Sequence, residues 1–397
     1  MGTTNSMTEI RTAKDRQAGA LMVLLIGAQA AQIEPLVSHL SSALPDEDLL
    51  IAMPEGSAAE ARSGLRFVDL PASKASWMLT AADFAHAHQL AQKNEARSIL
   101  MLGPEASSLE PEGLARLAGA TSNGTADLLL PCYTLPSRAG LVNSAILYPL
   151  SRALFANRTR FPLAVDLGVS LRMADRLGAA AQRLVALNQS DVPLWAVSEA
   201  MVAGMKIEEV DAGPRTLPQP AEPDLNTILP FVTGSLFSDI EAKAAFWQRA
   251  RVSPALQRQS GIANSAADGS TEVAPMLEGF RLAYTNLREI WGLVLPPNAM
   301  LGLKHLSTID GAAFRMPEAL WARSVFDFLI AYRMRTMNRG HLLGALIPLY
   351  LAWVASHINT IAAGEDPERH IEQHAAAFET EKAYLVARWR WPDRFNP

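Results

Sequence analysis

The chain has 397 residues, 49% of them apolar and 19% charged, enough to build a packed core and too apolar for global disorder. A formal charge of −5 leaves no basic footprint and speaks against a nucleic-acid partner. Cys132 is the single cysteine, which rules out an intramolecular disulfide and speaks against a thiolate zinc site, and the length makes two domains the expectation.

Residues 1–19 are polar and mixed in charge, carry no signal-peptide pattern, and read as a disordered tail. From residue 20 short apolar runs alternate with helical patterns, the signature of a doubly wound α/β domain. The runs LMVLLI (21–26) and SILML (98–102) are continuously apolar, as strands covered on both faces must be. Further strands are expected over 48–52, 65–68, 127–130 and 205–210, with helices over 33–43, 76–93, 112–118 and 145–155. Four prolines (Pro214, Pro218, Pro220, Pro223) mark 211–224 as an extended linker. Beyond it the pattern is helical, over 240–251, 277–294, 317–337, 342–361 and 367–389. The run 342–358 is nearly as apolar as a membrane span. It is short, holds Pro348 and lies between His341 and His357, so it reads as a buried core helix. The expectation is a tail (1–19), a mainly parallel α/β domain (20–225) and an all-α domain (226–397) of a cytoplasmic protein with no transmembrane segment.

In open parallel sheets, ligands bind beyond the carboxyl ends of the strands. The loops there are 27–31, 54–57, 71–76, 103–107 and 163–170. They offer Gln29, Glu55, Lys74, Glu105 and Asp166 as polar groups, with Gly56 and Gly103 as places of close backbone approach. One lysine among several carboxylates suits a phosphorylated, hydroxyl-rich ligand: the ammonium pairs with phosphate and the carboxylates accept from hydroxyls. Spacing alone is better served by ordinary loop polarity.

One stretch is more specific. Residues 142–170 read VNSAILYPLSRALFANRTRFPLAVDLGVS. A Tyr-Pro-Leu helix start leads into a basic segment with Arg152, Arg158 and Arg160, then to Asp166 beside Gly168. Through Asn143, Ser144, Tyr148, Pro149, Leu150, Arg152, Arg158, Arg160, Pro162, Asp166, Gly168 and Ser170, the stretch resembles one in mannosylglycerate-synthase-like and glucosyl-3-phosphoglycerate-synthase-like glycosyltransferases. There it follows the sugar-nucleotide site. The likeness extends to 346–356 (LIPLYL, then VAS) and to Phe378, Glu379, Lys382, Tyr384 and Leu385.

The resemblance implies a GT-A-like fold and a nucleotide diphosphate sugar as donor. It also implies hexosyl transfer to a small hydroxylated acceptor with retention of anomeric configuration. By the same resemblance Gln29 lies at the nucleobase end, Glu55 in an acidic Gly-Ser turn, Lys74 at the diphosphate, and Asp166 at the donor sugar or acceptor. The family's Asp-x-Asp metal motif falls on Gly103-Pro104-Glu105, so the first aspartate is a glycine and the second a glutamate. An acidic residue on the acceptor side corresponds to Arg138, another carboxylate to Ser198, and the Lys-x-His that completes the metal shell to a segment holding Arg215 and no histidine. A divalent ion, Mg²⁺ or Mn²⁺, would keep at most Glu105 as a protein ligand. Loss of the metal is the expectation, with Arg215 supplying positive charge near the diphosphate. The runner-up is a catalytically inactive relative that binds a sugar nucleotide or a partner protein. Small-molecule substrates and a second copy of the chain complete the expected partners.

Two further features have plain readings. His370 and His374 stand at i and i+4 with no third ligand, and read as part of a solvated helix face. The Trp389-Arg390-Trp391 segment reads as a packing anchor for the last helix rather than a platform for a glycan.

Overall fold

The computed structural model describes residues 19–55, 65–71, 77–218, 224–250 and 273–392. It divides into two compact units: Met1–Tyr133 with Leu163–Pro220, and Thr134–Pro162 with Ala221–Pro397. The division by sequence placed 134–162 with the sheet, whereas it packs with the C-terminal helices.

The first unit is built on β1 (Leu21–Leu25), β2 (Leu49–Pro54), β3 (Arg66–Leu70), β4 (Ser98–Leu102), β5 (Leu128–Thr134), β6 (Leu167–Ser170) and β7 (Ile207–Pro214). They stand in the order β3-β2-β1-β4-β6-β5-β7. β3, β2, β1 and β4 pair in parallel, while β6 runs antiparallel to both β4 and β5. The sheet is therefore mixed. Every residue of β1 and β4 is buried, which is why LMVLL and SILML are apolar without alternation. β3 lies at the edge, with Arg66 and Asp69 exposed and Leu70 buried.

β6 has no counterpart among the strands expected from sequence. A Cβ on its Gly168 would meet Thr121 Oγ1 at 2.1 Å and Leu129 Cβ at 2.9 Å, so only glycine lets β6 lie this close to its neighbours. Glycine inside a short run also erases the strand signal. β7 runs on to Pro214, taking the first residues of the expected linker into the sheet.

The helices of this part of the chain are α1 (Ala30–Ala43), α2 (Ala81–Lys93), α3 (Pro111–Asn123), α4 (Tyr148–Phe155), α5 (Leu171–Ala186) and α6 (Ala196–Val202), of which α4 belongs to the second unit. α1 packs on α3 and α2 on α5, so two helix pairs cover the sheet. The α2–α5 contact includes a hydrogen bond between His88 Nε2 and Asp175 at 3.0 Å.

The second unit contains α4, α7 (Leu225–Ala242), α8 (Ala244–Trp247), α9 (Val273–Asn286), α10 (Arg288–Val294), α11 (Pro297–Leu306), α12 (Glu318–Met334), α13 (Arg339–Ala362) and α14 (Pro367–Arg390). Among the described residues no strand follows Pro214. α13 is the one described helix long and apolar enough to cross a membrane, and 78% of its most apolar window is buried within the fold. Trp247, Trp291, Trp321 and Trp353 are fully enclosed, and three of them donate an indole N–H to a backbone carbonyl: Ile240, Ala345 and Ala145 respectively.

The basic segment of the resemblance is a clamp between α4 and α14. Arg152 Nη1 donates to Glu372 at 2.6 Å and its Nη2 to Glu379 at 3.0 Å. Arg160 Nε donates to Glu368 at 3.0 Å, and the Tyr148 hydroxyl to Glu372 at 2.5 Å. Beneath these pairs Tyr148 packs on Ile371 and Ala375. Arginines with buried stems and a row of glutamates four to seven residues apart on the facing helix explain why 134–162 leaves the sheet unit.

His370 and His374 do not lie on a solvated face. They are buried with His357 against Trp353, with His357 Nδ1 2.7 Å from His370 Nδ1. Trp353 Nε1 donates to His374 Nδ1 at 3.4 Å, so the proton of His374 is on Nε2, which contacts the Ala145 carbonyl at 3.1 Å. Of the two outer tryptophans, Trp389 is buried edge-on to Trp247, ring centroids 5.0 Å apart, and Trp391 is exposed.

Candidate functional site

The carboxyl ends of β4 and β7 and the amino end of β6 bring Gly103, Glu105, Asp166 and Arg215 together. Because β6 runs the other way, its amino end meets the carboxyl end of β4: Met101 pairs with Leu167, and Asp166, one residue before it, reaches the Gly103 amide. The Asp166 carboxylate is fully buried. Oδ1 accepts from the Gly103 amide at 3.0 Å, and Oδ2 from the Tyr133 hydroxyl at 2.7 Å and from Arg215 Nε at 2.9 Å. Asp166 was expected at the donor sugar or acceptor; its carboxylate is engaged by these three protein groups, and the N-cap of the following helix α5 is Ser170, whose Oγ accepts from the Met173 amide.

Arg215 leaves the end of β7 and turns inward. Besides Asp166, its guanidinium donates to the carbonyls of Pro104, Glu105 and Thr216 and to Ser108 Oγ. Burial pulls its pKa down, but the Asp166 charge more than offsets this and holds it above the ordinary arginine value. The Tyr133 hydroxyl is pushed well above its ordinary pKa by burial and by the same carboxylate, so it stays a donor. Arg215 was expected to supply positive charge near a diphosphate; in the structure its hydrogen-bond donors are taken by protein groups.

Gly103 was expected to offer backbone to a ligand. Its amide is taken by Asp166, and a Cβ at this position would lie 2.7 Å from Val165 Cβ and 3.0 Å from the Val165 carbonyl. An aspartate has no room here. Glu105 adopts a left-handed backbone, φ 63° and ψ 17°, unusual for a residue with a Cβ. Its carboxylate is half-buried and Oε1 accepts from Gln32 Nε2 at 2.9 Å. Gln32 Oε1 in turn accepts from the Gln29 amide at 3.1 Å, so the loops after β1 and β4 are tied through a residue that sequence reading missed. Only its place one turn into α1 could have suggested it.

Gln29 and Glu55 are exposed at the ends of β1 and β2. Lys74, Gly56 and Ser57 lie outside the described residues. Arg138 is half-buried and belongs to the helical unit, whereas Asp166 belongs to the sheet unit. The residues present do not fit a divalent cation. Gly103 contributes no ligand, Asp166 is committed to Arg215, and among the described residues no three His, Cys, Asp or Glu side chains converge as a metal site.

No family model matches the chain, and no curated protein matches it. Solved structures of glucosyl-3-phosphoglycerate synthase from Mycobacterium tuberculosis are similar at low identity. The complex with Mn²⁺, uridine diphosphate and glucosyl-3-phosphoglycerate shares 16% identity with a TM-score of 0.35, covering 60% of this chain and 85% of that one. The complex with Mn²⁺, uridine diphosphate and phosphoglyceric acid shares 17% identity with a TM-score of 0.36, covering 60% and 84%. A likeness at this level decides nothing about chemistry.

Proposed function

We propose that the sheet unit binds a nucleotide diphosphate sugar without a divalent cation, and that the chain is a glycosyltransferase moving a hexose to a small hydroxylated acceptor. The observation that carries this reading is the Arg215 guanidinium, held against the Pro104 and Glu105 carbonyls. That loop is where the residue-level resemblance expects metal carboxylates. A resident cation in place of a metal shell leaves the loop ordered and its exposed neighbours, Gln29 and Glu55, beside the strand ends where α/β sheets take ligands. A second reading, a relative that binds the sugar nucleotide without transfer, is favoured by the complete burial of Asp166.

The test is titration calorimetry of the full chain with uridine-, guanosine- and adenosine-diphosphate sugars, in Mn²⁺ and in EDTA, followed by mass spectrometry of mixtures with small hydroxylated acids. Binding of equal strength in both buffers, with a glycosylated product, is the expected result. Binding without product leaves the second reading standing. No binding to any donor removes both.

A further inference from the structure

We propose that the outer face of the C-terminal helix, at Lys382, Arg390 and Trp391, is a binding site for a phosphorylated sugar, separate from the sheet unit. An open groove of about 560 Å³ lies there in the helical unit. Lys382, Val386 and Arg390 are spaced i, i+4, i+8 along α14, so they share one face and put two cations along the same wall. Ala383 and Ala387 lie between them, and their small side chains leave the space a ring needs. Trp391 closes the end of the groove and is 64% exposed, the largest aromatic surface the described residues present to water.

Neither cation forms an ion pair among the described residues. Lys382 Nζ donates to the Ala250 carbonyl at 2.8 Å, and Arg390 Nε contacts Gln248 Oε1 at 3.4 Å. No carboxylate pairs with either among the described residues: Glu381, next to Lys382 in sequence, is held by Arg323 at 2.8 Å, and Glu379 by Arg152 at 2.9 Å. Burial lowers the Lys382 pKa to about 8, outweighing the charge of Glu379, which acts to raise it. An anion entering the groove brings both cations a close counter-charge. The chemistry selects a ligand with two parts: a phosphate for the two cations, and a polyol ring whose C–H face lies on the indole. A free phosphate uses only the first and a neutral sugar only the second.

The test follows tryptophan fluorescence and calorimetry of the full chain with glucose 6-phosphate, glucose and inorganic phosphate as probes. The sugar phosphate is expected to bind at least tenfold more tightly than either of the others and to quench emission. Trp391→Ala and Arg390→Met, both at exposed positions that leave the core untouched, are each expected to weaken it at least tenfold. Lys382→Met is expected to do the same. Glucose 6-phosphate binding that survives Trp391→Ala and Arg390→Met lies elsewhere in the protein and overturns the proposal. Inorganic phosphate binding as tightly as the sugar phosphate, or no binding at all, overturns it as well.

Discussion

Arg215 and Asp166 form a fully buried ion pair, Nε to Oδ2 at 2.9 Å, that joins the end of β7 to the start of β6. The other donors of Arg215 hold the β4 loop, so three chain segments depend on one contact. Breaking a buried pair leaves an uncompensated charge at a cost of about 3–5 kcal/mol. Asp166→Asn and Arg215→Met are each expected to lower unfolding free energy in urea by an amount in that range. A loss within ~0.5 kcal/mol, the usual scale of a surface change, would show that the pair does not hold the site.

Restoring the aspartate of the metal motif should not restore a metal site. Gly103→Asp puts a Cβ 2.7 Å from Val165 Cβ, inside contact distance, and overpacking of this kind costs about 1–3 kcal/mol. The variant is expected to melt earlier than the parent and to bind Mn²⁺ no better by calorimetry. Gain of tight Mn²⁺ binding with an unchanged melting temperature would contradict this geometry.

Glu105 tests whether the left-handed backbone is kept for a ligand. Glycine removes the Cβ penalty at φ 63°, worth about 1 kcal/mol, while deleting the carboxylate held by Gln32. Glu105→Gly is expected to be at least as stable as the parent and to bind nucleotide sugar at least tenfold more weakly. Unchanged affinity would make Glu105 a turn residue and nothing more.

The helical unit should lose stability in mild acid. Burial, with the neighbouring histidine adding to it, pushes the His357 pKa down to about 3, and burial does the same to His374. A lowered folded pKa means the native state refuses protons that the unfolded chain accepts below ~6.5, so stability is present above that pH and is lost as pH falls toward 3. Each such group gives a slope of up to ~1.4 kcal/mol per pH unit. Asp327, pushed up to about 7 by burial, works the other way: its contribution is present in acid and is lost as pH rises through 7. Two histidines outweigh one aspartate, and denaturant unfolding is expected to require less urea at pH 5 than at pH 7.5. His357→Leu should flatten that dependence. A variant with the parent's full slope would clear this histidine.

The sheet unit was legible in sequence where burial is uniform. LMVLL and SILML lie deep in the sheet, and strands buried on both faces have no choice but to be continuously apolar. β6 was not legible, because Gly168 serves closeness to Thr121 and Leu129 rather than strand propensity. The long apolar run ending near Ile358 declared a buried helix, and α13 is one.

The positions of Gly103, Glu105, Asp166 and Arg215 could be picked from the chain, since loops after apolar strands gather at one sheet edge. What each does could not. Residue type says that an aspartate is charged, not that Tyr133, Arg215 and the Gly103 amide surround it, because those partners come from strands 33, 49 and 63 residues away in sequence. The same holds for His370 and His374: their i, i+4 spacing marks one helix face, and only the packing of Trp353 and His357 against that face decides that it is buried. Sequence determined the elements and the edge where they end, through local pattern and burial. Tertiary structure decided which polar groups are spent on each other and which still face water, because pairing depends on contacts across the sheet and between helices that no local pattern encodes.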